Sequence, residues 1–267
     1  TRHGFESFYG VPHSNDMPDF ALYRDEQKIE FPVEQSTLIR RYTREAIDFI
    51  RAYVNSPFFL YLSHTFPHIP LSASPEFLGR SAAGLYGDVV EELDWSAGQI
   101  VSALKSLGLY DNTLILFTSD NGAWWEGSNG SSRGNKGRSW DGAYRVGLLA
   151  SWPRRLQGAV RNKLLSNNTD LLPTIAAAAG VALPTNRVID GRNLLPALIS
   201  PSKTPEERRY FYYFNNEELV GIRDRHWKLL RRIHHRRHLG ALDKFDQLPE
   251  FRESYRLLFD MRDPDPE

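Results

Sequence analysis

Apolar positions recur along this chain with two different periods, and the change of period marks its elements. Between residues 37 and 54, Leu38, Tyr42, Ala46, Phe49 and Tyr53 follow one another at steps of three or four. That spacing places them on one face of a helix. Pro57 stops the pattern, and Phe58 to Leu62 follows as an unbroken apolar run with the length of a buried strand. A second helical period covers residues 86 to 107, with Tyr86, Val90, Leu93, Ala97, Ile100, Leu104 and Leu107 on one side, before Gly108 ends it. Asp88, Glu91, Glu92 and Asp94 fall in its first half, where the helix dipole favours acids, so they read as structural rather than catalytic. Leu114 to Phe117 is another short apolar run, predicted to be a strand buried on both faces of an α/β sheet.

Further on, Asp170 to Gly180 reads as a short helix, with Asp170 as its cap, Pro173 in its first turn and Gly180 closing it. The polar, twice proline-broken stretch Pro201 to Glu207 is expected to be a boundary, dividing residues 1–200 from 201–267. Beyond it, RRYFYYFN, LVGIRD, HWKLLRRI and YRLLFDM are rich in aromatic and branched residues and predict a small antiparallel sheet. The basic cluster Arg231 to His238 lies between two of these runs and reads as a solvated hairpin loop, not as a nucleic-acid patch or a histidine metal site.

Candidate chemistry gathers at the loops. Asp120 and Asn121 stand at the carboxyl end of the predicted 114–117 strand, the place where open α/β sheets form their ligand crevice. Two adjacent oxygen donors there suit a hard cation. Gly122 would let the chain turn away, and the Gly-, Ser- and Asn-rich stretch after it predicts a long loop. Within that loop Lys136 has Gly134 two residues before it and Gly137 directly after, a setting in which an ammonium can hold an oxyanion. His68 is fenced by Pro67 and Pro70, which restrict the backbone and hold the imidazole in place for proton donation. His64 is expected to line a pocket at most.

Composition narrows the function without choosing it. The 267 residues suffice for one large or two modest domains, and 33 basic residues balance 33 acidic ones. That neutrality argues against a nucleic-acid partner held by bulk charge. No apolar run is long enough to span a bilayer. Cysteine is absent, which excludes a disulfide framework and a thiol nucleophile within these residues.

The run SDNG at 119–122, then RGNKGRSWDGAYRVG at 133–147, then SWP at 151–153, resembles the sulfatase family. Its members share SDNG, a loop of the form G-x-K-x-x-x-x-E-G-G-x-R-V-P, and a following W-P. Asp141 stands for the usual Glu, Ala143 for the second Gly and Gly147 for the Pro. PFFLYLSHTFPHIPL is similar to the family stretch PFFLYLA-x-x-x-PH-x-PL, in which the histidine before x-P-L faces the sulfate ester; His68 is the match. His3 to Asp16, the EELD element, DLLPTIAAAAG with the DG-x-x-L-x-P-L element after it, and Gly221-Ile222-Arg223 leading to Lys228-Leu229 match in the same order.

The resemblance implies an α/β fold: the C-terminal part of an alkaline-phosphatase-like sulfatase, a central sheet flanked by helices with a small antiparallel C-terminal sheet. It implies hydrolysis of a sulfate ester on a small molecule or a sulfated glycan. Asp120 and Asn121 would bind calcium, or magnesium, while Lys136 and His68 would contact the substrate and act in catalysis. A formylglycine nucleophile, made from Cys or Ser in C/S-x-P-x-R, is expected from residues outside this chain, with two further aspartates and the remaining basic residues. A periplasmic, secreted or lysosomal setting goes with the family. The alternatives are a phosphodiester or phosphonate hydrolase of the same superfamily and a non-catalytic sulfatase-like domain. The isolated chain is expected to be inactive, because two ligands do not hold calcium tightly and nothing in it attacks sulfur.

Overall fold

The computed structural model describes residues 3–200, 209–215, 217–235 and 251–263. They form two compact units, Thr1–Asn112 and Thr113–Glu267. In the first, strands β1 (Tyr9–Gly10), β2 (Leu22–Arg24) and β3 (Gln27–Glu30) make an antiparallel meander, followed by helices α1 (Leu38–Ala52) and α2 (Gly84–Ser106). The turn before α1 is capped by Glu34, whose carboxylate accepts from the Ser36 backbone N–H. The expected face of α1 is the observed one: Leu38, Tyr42 and Ala46 are buried, joined by Ile39, Thr43 and Ile50. Leu38, Ile39 and Tyr42 pack with Leu22, Phe66, Phe77 and Val89 into one core.

In α2 the helix is as expected, but its buried face is not. Val90 is 42% exposed, while Asp88, Val89, Glu92, Ser96 and Leu104 are buried. The cause is hydrogen bonding. Asp88 accepts the backbone N–H groups of Gly79, Arg80 and Ser81, and Glu92 accepts that of Ser74 at 2.8 Å. Ser96 Oγ meets Thr43 Oγ1 of α1 at 2.6 Å. Buried polar groups that receive bonds are tolerated where bare ones are not, so a polar stripe latches the 74–81 loop and α1. The acids are structural, but none lies in the first turn of α2, so the dipole is not the reason.

Phe58 to Leu62 is extended without pairing into a sheet. Phe58, Leu60 and Leu62 are half-buried, while Phe59 and Tyr61 are exposed, Tyr61 at 70%. The alternation is that of a strand, and the expected burial is absent because only one side meets the core.

In the second unit, β4 (Ile115–Thr118) pairs antiparallel with β5 (Leu148–Ser151), in the register Ile115 to Ser151 and Thr118 to Leu148. β4 is not buried on both faces: Phe117 is 47% exposed, since β5 is its one strand neighbour among the described residues. Helices α3 (Asp141–Tyr144), α4 (Leu171–Ala179) and α5 (Leu195–Ile199) follow, then the antiparallel sheet β6 (Phe211–Asn215), β7 (Glu218–Arg223), β8 (Trp227–His235) and β9 (Phe251–Asp260), in that order. The expected C-terminal sheet is present, and Phe211 and Tyr213 point in while Tyr212 and Phe214 point out.

Arg231 to His235 belong to β8 rather than to a loop: Ile233 is buried and Arg232 pairs with Glu218. Residues 236–238 and the boundary at Pro201–Glu207 lie outside the described residues. Gly180 closes α4 in the left-handed region at φ 69°, as expected. Asp170, however, does not cap α4 with its side chain; its carboxylate takes Arg209 at 2.6 and 2.7 Å and the N–H groups of Asn167 and Arg192. Burial pushes that carboxyl up, and Arg209 with the two backbone bonds outweighs it, holding the group below the usual carboxylate range.

His64 is half-buried against α1 and α2. Its Nε2 meets Ser96 Oγ at 3.3 Å, its ring lies 6.0 Å from that of Tyr42, and its buried Nδ1 has no hydrogen-bond partner among the described residues. Burial pushes its pKa down to about 4. The unfolded chain therefore takes up a proton near pH 6.5 that the folded chain refuses until about pH 4. Stability is whole above pH 6.5 and falls as the pH drops towards 4, by about 3 kcal/mol at 1.36 kcal/mol per unit. Urea unfolding at pH 7 and pH 4.5 should show this loss in the wild type and less of it in His64→Phe; equal losses would remove His64 as the cause.

Candidate active-site loop and its anchors

Asp120 and Asn121 follow β4 directly, and local bonds fix the corner. Thr118 Oγ1 donates to the Gly147 carbonyl at 2.9 Å, and Asp120 Oδ1 accepts the Asn121 backbone N–H at 2.8 Å. Asn121 Nδ2 donates to the Gly122 carbonyl, and Asn168 Nδ2 donates to the carbonyls of Ser119 and Asp120 at 3.0 and 3.3 Å. These bonds leave Asp120 Oδ2 and Asn121 Oδ1 with no donor among the described residues. Two such oxygens, one charged and one neutral, are the donor type a hard cation takes. They are part of a site and not a whole one: among the described residues no three His, Cys, Asp or Glu side chains come together to hold a metal.

The role of Gly122 differs from the one expected. Its φ is not positive; instead a Cβ there would sit 1.8 Å from the Gly142 carbonyl oxygen, and its N–H donates to Ala143 at 2.9 Å. Two backbone strands cross at contact distance. Gly142 repeats the device, since its Cβ would lie 2.3 Å from the Gly134 carbonyl and its N–H donates to Arg133 at 2.7 Å. Asn129 staples the loop interior: Oδ1 accepts from Ala123 N–H at 2.7 Å and Nδ2 donates to the Gly134 carbonyl at 2.9 Å. Gly134 and Gly137 both take φ of 83°, the left-handed region. Between them, Lys136 donates its backbone N–H to Ala123 at 3.0 Å. That bond brings Lys136 back beside the residue that follows the Asp120–Asn121–Gly122 turn. Its side chain is half-buried, and its ammonium makes no ion pair among the described residues.

The far end of the loop is held by Asp141, one of the substituted positions. Its carboxylate receives Lys228 Nζ at 2.8 Å, Arg223 Nη1 at 2.9 Å and Tyr213 Oη–H at 3.0 Å. Lys228 is fully buried and also donates to the Ser139 carbonyl at 3.4 Å. Arg223 and Lys228 are direct cross-strand partners on β7 and β8, and like charges opposite one another repel. Asp141 resolves that repulsion. Burial pushes its carboxyl up, and Lys228, Arg223 and Tyr213 outweigh the push, holding it below the usual range. Tyr213 is driven up by burial and then by the Asp141 charge. Beside this pair, Trp140 packs on Leu230 and Ile233, with the Arg133 guanidinium 3.8 Å from its ring centre. In sequence Asp141 shows only as an Asp in the place of the family's Glu; the five-residue spacing of Arg223 and Lys228 across a tight turn is the local signal for its partners.

His68 stands in the first unit, half-buried between its prolines. Its Nδ1 is 2.7 Å from the Ile69 carbonyl, 3.2 Å from Asn15 Oδ1 and 3.4 Å from Ser14 Oγ. Asp120, Asn121 and Lys136 are thus brought into one loop system of the second unit, and His68 is held by its own partners in the first.

The C/S-x-P-x-R pattern was expected wholly outside the chain, yet it occurs once, as Ser151-Trp152-Pro153-Arg154-Arg155. Ser151 pairs with Ile115 at the start of β4, so about 10 Å of strand separates it from Thr118 at the corner end. It closes a strand at the wrong end of the pair to serve the Asp120–Asn121 corner.

The family model described as Sulfatase matches residues 1–181. The chain belongs to the sulfatase family. Over 218 residues it is 40% identical to human steryl-sulfatase, covering 78% of this chain and 37% of that protein. Over 239 residues it is 37% identical to mouse N-acetylgalactosamine-6-sulfatase, covering 80% of this chain and 46% of that one. The crystal structure of PsFucS1 sulfatase from Pseudoalteromonas sp. superimposes with a TM-score of 0.77 at 25% identity, over 91% of this chain and 51% of that one. The chain therefore spans less than half the length of these two curated relatives. The fold is α/β, as expected of the alkaline-phosphatase-like sulfatases, with the small antiparallel sheet β6–β9 at its C-terminal end.

Within this sulfatase-family chain the buried ion pair makes a clear prediction. Asp141→Ala leaves Lys228 and Arg223 buried and opposed, and should lower unfolding free energy by about 3–5 kcal/mol. Adding Lys228→Met to Asp141→Asn should recover most of the loss. Urea titrations check both, and a single variant as stable as the wild type would show the pair to be dispensable.

Proposed function

We propose that this chain is part of a sulfuric ester hydrolase. The observation that carries the reading is Lys136: an ammonium without an ion pair among the described residues, on a loop whose backbone is tied to the residue after the Asp120–Asn121–Gly122 turn. A cation without an ion pair, on a backbone tied to the residue just past two open oxygen ligands, suits an anionic ester whose charge is shared between a protein cation and a metal. Calcium, with magnesium as the alternative, fits Asp120 and Asn121 as two of its six to eight oxygen ligands. When bound, such a cation supplies charge neutralisation at the ester oxygens. The other ligands and a formylglycine nucleophile would come from residues outside this chain.

In this reading Lys136 holds a sulfate oxygen, and His68 gives a proton to the leaving oxygen. The related proteins are named for a steryl and for an aminosugar ester. The chemistry common to both names is the sulfate ester, so a sulfated small molecule or a sulfated glycan is the proposed substrate class. A neutral overall charge gives no reason to add a nucleic acid, and no helix of the described residues is long and apolar enough to cross a membrane.

The test compares aryl sulfate with aryl phosphate. The 267-residue chain by itself should turn over neither. In a protein that joins it to the family's nucleophile-bearing segment, aryl sulfate should be the better substrate. There Lys136→Ala should lower kcat/KM about 10²-fold or more, the scale for losing one charge-stabilising donor. Ser151→Ala should leave the rate unchanged. Preference for aryl phosphate would support the phosphoester alternative, and a Lys136→Ala variant with wild-type turnover would favour the non-catalytic one.

A further inference from the structure

The stretch SND at residues 14–16 lies against His68, and the structure points to a task for it. Asn15 is 4% exposed, and its side chain faces three groups. Nδ2 lies 2.9 Å from Gln35 Oε1 and 3.2 Å from the Pro70 carbonyl, and Oδ1 lies 3.2 Å from His68 Nδ1. The amide orientation follows from chemistry, because a backbone carbonyl only accepts. The edge facing Pro70 must be the NH₂, so the edge facing His68 is the oxygen. Gln35 is fixed in turn, since its Nε2 donates to the Asn15 carbonyl at 3.4 Å. Turning the buried amide over would set two oxygens against each other, at Gln35 Oε1 and at the Pro70 carbonyl.

His68 Nδ1 therefore meets two acceptor-only oxygens, Asn15 Oδ1 and the Ile69 carbonyl at 2.7 Å. Either accepts from His68 only if Nδ1 carries a hydrogen, and the Ser14 hydroxyl 3.4 Å from the same nitrogen can accept as well as donate. We propose that Asn15 is the positioning residue of His68: it locks the imidazole in the Nδ1–H tautomer and makes Nε2 the working nitrogen. This rests on the sulfate-ester reading for its consequence. When the S–O bond breaks, its electron pair goes to the leaving oxygen, and the Nε2 proton of the imidazolium passes to that oxygen. The ring that remains is neutral and keeps its hydrogen on Nδ1, the form Asn15 and Ile69 already hold, so no tautomer change or ring rotation has to accompany the step. The electronic logic is that of a second residue fixing a catalytic imidazole, with a neutral amide as the partner.

The test reads the tautomer directly. Two-bond 1H–15N correlation spectra of the 15N-histidine-labelled chain, with His68 assigned by its loss in His68→Gln, are recorded at alkaline pH where the ring is neutral. The wild type should show hydrogen on Nδ1; hydrogen on Nε2 in the wild type overturns the proposal, with no variant needed. Asn15→Leu, which removes the acceptor at similar size, should give a mixture with Nε2–H present, and Asn15→Asp, which retains an oxygen, should restore the Nδ1–H pattern. Asn15→Leu with an unchanged wild-type pattern also overturns it. Should Asn15→Leu not fold, Gln35→Leu, which removes one of the two groups orienting the amide, is read in the same way. In the active protein Asn15→Leu should lower kcat about tenfold with KM little changed, inside the 10²–10⁴-fold that a placed general acid contributes. If the tautomer is as stated but His68→Gln keeps full sulfate-ester turnover, the acid role of His68 fails while the positioning by Asn15 stands.

Discussion

The carboxylate of Asp141, buried between Lys228 and Arg223, is the interaction on which the second unit depends. A hairpin that places a lysine opposite an arginine on one face stores repulsion. A loop that buries an acid carries the cost of removing that charge from water. Each problem is solved by the other, and Tyr213 completes the coordination. The outcome is positional: the loop that began at Asp120 has its far end attached to the β6–β8 sheet, so Lys136 lies on a chain held at both ends.

Between those ends the loop is organised by backbone contact. Gly122, Gly134 and Gly142 lie where chain segments approach closely, and a methyl group at any of them would overlap a neighbouring atom. Main-chain carbonyls and N–H groups thus pair across the loop without helix or sheet, satisfying the requirement that buried peptide groups find partners. Asn129 and Asn168 extend the scheme by letting a side-chain amide stand for a peptide group. Such a loop keeps its path by main-chain and amide pairing, and Lys136 is carried on it.

The first unit applies the same rule around a different centre. Asp88 and Glu92 gather the backbone N–H groups of the 74–81 loop, and Asn15 gathers Gln35, Pro70 and His68. In each case a buried polar side chain replaces water for groups that no regular element could satisfy. His64 is the contrast. With a single bond to Ser96 and a bare nitrogen, it is kept neutral by burial and makes this unit sensitive to acid, whereas His68, four residues on, is surrounded by oxygens.

Periodicity determined both long helices, the extended runs and most of the C-terminal sheet, and turn residues marked the loop with Asp120, Asn121 and Lys136, because both signals are local. Motif order determined the family for a similar reason: the motifs are runs of neighbouring residues. Tertiary structure decided what spacing cannot carry. It turned the buried face of α2 to Asp88 and Glu92, made Gly122 a crossing point rather than a turn, placed Ser151 at the wrong end of β5 for a nucleophile, and joined Asp141 to Lys228 across 87 positions. Each of these depends on which distant group arrives opposite. A polar side chain becomes buried, or a glycine necessary, only through the partner that the folded chain brings to it.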